Sequence, residues 1–303
     1  MNTPSWQTRR ERGSPAALRL MLWLSRRLGR SISRLILPVI ALYFTLFAPS
    51  VRRAARQYSL RRIGRLPRFS ERYRQILCFA RTVHDRVFLL SGQTERFALS
   101  VENAALFDEP GGKILIGAHL GSFEALRAVG QTQGGRRVAM MMYPENAKKI
   151  NEILAIINPG ARADIIALGQ IDSMLEAERR LAQGDLLGLL ADRTLPGDPP
   201  RLLPFFGAAA PFAEGPFRIA ALLRQPVLFM AGLYLGGNRY HIVFAPLADF
   251  RHTPRAERQA AIDAAMRRYV ALLEAQCRAA PDNWFNFFEF WPEPPPDASI
   301  PSP

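Results

Sequence analysis

Two short runs in this 303-residue chain carry no polar side chain: Ile114-Leu115-Ile116-Gly117-Ala118 and Leu186-Leu187-Gly188-Leu189-Leu190-Ala191. A strand with one wet face alternates apolar and polar residues, so a strand that is apolar throughout must be covered on both faces. Turn residues bound each run on its left, Gly111-Gly112 for the first and Gly184-Asp185 for the second. Read the same way, strands are expected at 113–118, 137–143, 163–168, 186–191, 226–235 and 239–245. Helices are expected near 122–130, 146–157, 171–183, 215–224 and 254–279, opened by Ser or Asp and closed by Gly or Pro. Strand and helix in alternation predict an α/β fold: a mainly parallel central sheet covered by helices on both faces.

The first run leads into Gly117-Ala118-His119-Leu120-Gly121-Ser122-Phe123-Glu124. Ligands of such sheets bind at the carboxyl ends of strands, which is where His119 falls. Ser122 is placed to cap the helix that Phe123 opens. Within one helix, His119 and Glu124 would diverge, at about 100° per residue. With His119 on the bend and Glu124 in the first turn, the carboxylate can fold back onto the imidazole. An imidazole so held keeps one nitrogen protonated and leaves the other to take a proton from a hydroxyl. The same spacing also arises by chance, and a histidine beside a helix N-terminus is often only a satisfied polar group.

The second run ends in Asp192-Arg193, which should emerge at the same sheet edge, either as part of a site or as an ion pair fixing the loop. From Leu203 to Arg218 the chain is apolar but broken by Pro and Gly, with Phe206, Gly207, Glu214 and Gly215 as candidate substrate-binding residues alongside Ser122, Asp192 and Arg193. Such a loop either lines a channel for an alkyl chain and offers N–H groups to an oxyanion, or packs over the sheet. Between Trp284 and Trp291 six of eight residues are aromatic, which reads as core or interface burial, or as a rim facing a membrane. His84 and Asp85, neighbours in a capped amphipathic helix over 70–92, should point apart, making His84 structural. The four histidines form no close pair and Cys78 and Cys277 stand alone, so neither a metal site nor a disulfide framework is expected, in keeping with a reducing compartment. No phosphate-cradling glycine loop follows a strand, which argues against a nucleotide enzyme.

The net charge of +14 is local. Residues 1–75 hold seventeen Arg and no Lys against Glu11 and Glu71, an excess of 15, so the other 228 residues are close to neutral at −1. A basic face spread over the fold would suggest nucleic acid; this distribution does not. Within the basic segment, Leu35 through Ala48 is free of charge for fourteen residues, short of the roughly 20 that a bilayer span needs. Arginine on both flanks suits a segment dipping into an anionic membrane surface. Rival readings are a signal peptide, which would need an n-region of unusual length, and a buried core helix. The expectation is a basic amphipathic/hydrophobic N-terminal membrane anchor over 1–70, uncleaved and either monotopic or a short tilted span. A catalytic domain over 71–292 and a Pro-rich tail over 293–303 complete the predicted organisation.

Taken together, His119-x4-Glu124 after a Gly-Ala strand end, the Asp192 strand end, Pro204-Phe205-Phe206-Gly207 and Phe212-Ala213-Glu214-Gly215 resemble the lipid A late (lauroyl/myristoyl) acyltransferases of the lysophospholipid acyltransferase superfamily. The likeness runs over roughly residues 20–290. The wording at Gly117–Glu124 and Asn283–Phe287 looks most like a branch associated with bacterial aryl polyene and related lipid clusters. The resemblance implies transfer of an acyl group from acyl carrier protein, or acyl-CoA, to a lipid or glycolipid hydroxyl. The place implied is the cytoplasmic face of the inner membrane, with no cofactor beyond the acyl co-substrate. It implies His119 as base, Glu124 as its orienting partner and Asp192 as the second-strand acid. A hydrolase of the same bonds is the alternative, although no G-x-S-x-G elbow is present, and so is a non-catalytic membrane-surface binding protein.

Overall fold

The computed structural model describes residues 23, 25, 27–132, 135–143, 157, 164–169, 171–194 and 198–292. Its seven-stranded sheet has the order β1-β9-β8-β2-β5-β3-β4. The strands are β1 (Ala98–Glu102), β2 (Lys113–Gly117), β3 (Val138–Met142), β4 (Ile165–Ala167), β5 (Leu186–Leu190), β8 (Pro226–Tyr234) and β9 (Arg239–Asp249). All neighbours pair in parallel except the β8–β9 hairpin, so the mainly parallel sheet is as expected. The two all-apolar runs lie at its centre as β2 and β5, every β2 residue buried. Successive β2 side chains enter opposite layers: Ile114 and Ile116 join one core cluster and Leu115 the other.

Helices cover both faces: α3 (Phe69–Leu90) and α4 (Phe123–Thr132) on the Leu115 side, and α5 (Ile171–Ala182), α6 (Gly215–Leu222) and α7 (Arg258–Ala279) on the other. Strand β1, not among the expected strands, is a five-residue edge strand whose exposed and half-buried positions alternate. The helix expected over 146–157 lies, apart from Ile157, outside the described residues.

The Pro/Gly-broken segment is not a loop. Residues Arg201–Phe205 and Ala208–Phe212 form an antiparallel hairpin, β6–β7. Its turn residues Phe206 and Gly207 have φ of +50° and +75°, the left-handed pair that a two-residue hairpin turn requires. A phenylalanine there costs about 1–2 kcal/mol. Burial of its ring against Tyr58 and Trp291 offsets that cost. The aromatic tail is core: Trp284, Phe285, Phe288, Phe290 and Trp291 are all buried, and Trp291 stacks on Phe205 at 5.5 Å.

At the N-terminus, one helical stretch runs from Arg27 to Phe47 through a 3₁₀ turn at Arg34–Ile36, ending in α1 (Leu37–Phe47), and α2 (Pro49–Ile63) follows. This stretch is longer than the fourteen charge-free residues implied, and by length and composition it could cross a membrane. Only 22% of its most apolar window is buried. Leu37 and Ala41 pack on Ile76 and Leu77 of α3, whereas Leu35, Val39 and Phe47 are 73%, 68% and 62% exposed. Monomeric proteins rarely leave a continuous apolar ridge of this kind to water.

The arginines on its inner side have a second use. Arg30 donates to both oxygens of fully buried Asp85 at 2.8 and 3.0 Å, Tyr240 donates to the same carboxylate at 2.9 Å, and Arg34 bonds the Gly237 carbonyl. Ser33 Oγ lies 2.7 Å from Nε2 of buried His84. His84 is therefore a core residue, as read from the sequence. It does not point away from Asp85, however: Nδ1 lies 3.7 Å from Oδ1, because both side chains turn toward the same docked helix.

Candidate active site

Strands β2 and β5 pair with Gly117 opposite Leu190. Two residues beyond each strand end the parallel register therefore brings His119 and Asp192 to one edge. Nδ1 of His119 lies 2.8 Å from Asp192 Oδ1, and the His119 backbone N–H donates to Oδ2 at 3.0 Å. Both carboxylate oxygens are thus spent on one residue. The pairing assigns the proton to Nδ1 and leaves the Nε2 lone pair as the basic site on a ring that is 31% exposed.

The expected partner, Glu124, does not hold the ring. Its Oε1 lies 2.7 Å from Arg86 Nε on α3, and its Oε2 accepts weakly from Ser122 Oγ at 3.4 Å. Two local facts turn it away. Gly121 takes φ +71° between the histidine and the helix, and the α4 first turn aims Glu124 at α3. Ser122 is the cap it was read to be, its Oγ accepting the Ala125 N–H at 3.2 Å.

The corner itself is clamped on two sides. Ser122 N–H donates to the Gly232 carbonyl on β8 at 2.7 Å. From the tail, Phe285 N–H donates to the His119 carbonyl at 2.7 Å, and Gly121 N–H donates to the Asn283 carbonyl at 2.9 Å. Asn283 is itself fixed by two side-chain bonds to Tyr234. Below the corner, the Tyr269 hydroxyl of α7 donates to the Gly117 carbonyl at 2.8 Å. Burial first, and then the Asp192 charge, push that phenol well above its ordinary value, so it stays a donor.

Arg193 follows Asp192 and stacks over Phe288, its guanidinium carbon 5.5 Å from the ring centroid. The Glu214 segment joins the same edge through Ala213 N–H to the Ala191 carbonyl at 3.0 Å. Glu214 lies two residues past β7 and immediately precedes Gly215 of α6. It is nearly buried, with Oε1 accepting from Arg218 at 2.8 Å and Gln259 at 3.2 Å. Phe206 and Gly207 form the hairpin tip, where Phe206 packs against Tyr58, Trp291 and Arg278. Arg86 and Gly232 had no signal of their own in the sequence, Asn283 entered only through the resemblance and Tyr269 only as part of an apolar helix; each matters here through a partner more than 35 positions away.

Burial pushes the His119 imidazole below 6.5, the Arg193 charge adds to this, and Asp192 pulls the other way. Burial opposes ionisation of Asp192, but the charge and hydrogen bonds of His119, with Arg193, hold its carboxyl below the usual carboxylate range. At neutral pH the pair is therefore a neutral ring on an ionised carboxylate, the form a general base needs. With the ring's value depressed, the base form is lost only as pH falls through that lowered value. The acid limb of kcat/KM is expected below pH 6.5, and a limb above 6.5 in a pH–rate profile would contradict this arrangement.

A carboxylate-held imidazole at a strand exit of an α/β sheet is an arrangement able to activate a hydroxyl. Residues 101–292 match the bacterial lipid A biosynthesis acyltransferases. The chain belongs to this family, and it is an acyltransferase of lipid substrates. No curated protein matches it. Among solved structures it is similar to the 1-acyl-sn-glycerophosphate (LPA) acyltransferase PlsC from Thermotoga maritima. The two share 16% identity over 80% of this chain and 97% of that one, with a TM-score of 0.38.

Proposed function

We propose that the protein moves a fatty acyl, or related polyene acyl, group from an acyl thioester to a lipid or glycolipid hydroxyl at the cytoplasmic face of the inner membrane. Acyl carrier protein, or CoA, carries the donor, and no further cofactor takes part. His119 Nε2 removes the acceptor proton, the alkoxide attacks the thioester carbonyl, and as the C–S bond breaks and the ester forms the leaving thiolate takes that proton back from the imidazolium. Asp192 holds the ring and balances the imidazolium. Arg193 and the backbone N–H groups near Gly215 are the candidate donors for the oxyanion. The observation that carries this reading is the 2.8 Å contact between His119 Nδ1 and Asp192 at a strand exit, in a chain of this family.

In this reading residues 1–70 are the membrane-association segment, 71–292 the catalytic domain and 293–303 a tail. The exposed ridge of Leu35, Val39 and Phe47 with its flanking arginines supports apposition to an anionic surface, each nearby Arg adding about 1 kcal/mol. The test is transfer from a labelled acyl thioester with and without glycolipid-bearing vesicles. Acceptor-dependent product is expected from the wild type and none from His119→Ala with an unchanged circular-dichroism spectrum. Product from His119→Ala, or release of free acid regardless of acceptor, would overturn it.

A further inference from the structure

Arg86 is the residue that pairs with Glu124, the acid five positions after His119. Its Nε lies 2.7 Å from Glu124 Oε1, with the two side chains 33% and 11% exposed. Its charge also reaches the catalytic ring, acting on His119 in the same direction as Arg193. The helix that carries it is pinned at this turn. The two preceding residues, His84 and Asp85, are fully buried and hold Ser33, Arg30 and Tyr240. Three consecutive residues of α3 thus bind the N-terminal helical stretch, β9 and the first turn of α4. An exposed ion pair contributes little, but a guanidinium 2.7 Å from a mostly buried carboxylate, carried on a fixed backbone, sets geometry.

The geometry points to Arg86 as a positioning residue for the acyl transfer, fixing the Glu124 carboxylate and the first turn of α4 relative to His119. This rests on His119 being the base. The charged groups that act on the ring are Asp192 and Arg193 from the β5 end and Arg86 from α3. Those that act on Glu124 are Arg86 and, from α4 itself, Arg127. Without Arg86 the ring loses a nearby positive charge and holds its proton more readily. The first turn of α4 also loses its tie to α3.

The experiment is a pH–rate series on the full-length protein in acceptor vesicles. Arg86→Gln is expected to lower kcat about 10–100-fold, the cost of misplacing a reacting group by an ångström or less. It should also move the acid limb upward. Arg86→Lys, which keeps the charge but not the guanidinium, should leave the limb near its wild-type position and recover part of kcat. Arg86→Gln/Glu124→Gln should be no slower than the slower single variant, because the two act as one unit. Wild-type kcat and an unmoved limb in Arg86→Gln would overturn the proposal, as would additive losses in the double variant. If Arg86→Gln does not fold, an Arg86→Lys limb displaced from the wild type would overturn it just as well. His119→Ala run in parallel separates the two failures: activity there sinks the base itself, whereas an inactive His119→Ala beside a normal Arg86→Gln sinks only this inference.

Discussion

Asp192→Asn is expected to lower kcat by about 10³–10⁴-fold, the scale seen when an orienting carboxylate is replaced by its amide. His119 presents two donors, the ring Nδ1–H at 2.8 Å and its own backbone N–H at 3.0 Å. A carboxylate accepts both. An amide has one oxygen, so either its NH₂ faces Nδ1 and the ring takes the Nε2–H tautomer, losing its basic nitrogen, or the backbone N–H meets an NH₂. Glu124→Gln, by contrast, loses the ion pair with Arg86 but leaves the ring's own partner untouched, so its loss should be smaller. The comparison of the two amide variants in steady-state kinetics discriminates the Asp192-held ring from one held by Glu124. A larger loss in Glu124→Gln than in Asp192→Asn would reverse the assignment.

Gly121→Ala is expected to remove about 2–5 kcal/mol of stability and at least 10²-fold of activity. Gly121 has φ +71°, and a Cβ there would stand 2.0 Å from the Gly232 carbonyl oxygen on β8. The left-handed conformation alone costs about 1–2 kcal/mol, and forcing a methyl into packed backbone about 1–3 more. The shift falls on the corner that carries His119, so catalysis suffers with stability. Gly64→Ala is the control. It shares a positive φ, +70°, at the end of α2 but meets nothing within 4 Å. It should pay only the conformational cost and leave turnover unchanged. Thermal melts and initial rates on the two variants check both halves, and equal losses would remove the close-approach argument.

The elements that could be read from the sequence are those whose pattern is local. Ile114–Gly117 and Leu186–Leu190 had to be central strands because no face of either could meet water, and both are. Ser122 was legible as a cap from its place before Phe123, and His119 and Asp192 from their places just past strand ends. The hairpin at 201–212 was hidden because Pro204, Gly207 and Pro211 look like breakers, although an edge ribbon tolerates them. The tail's aromatic density was legible as burial, but its hold on the His119 carbonyl was not.

What the amino-acid order determined by itself is the α/β layering, the strand-exit position of His119 and the concentration of arginine around one apolar stretch. Each follows from periodicity or charge within a dozen residues. What only the tertiary structure decided is which carboxylate meets which cation. The local pair, His119 with Glu124, was visible at five residues' spacing and did not form. The distant one did, across 73 positions, because the β2–β5 register delivers Asp192 to the ring while α3 claims Glu124 with Arg86. Side-chain pairing at a sheet edge depends on register and on the packing of layers, and neither is written in the spacing of the residues concerned.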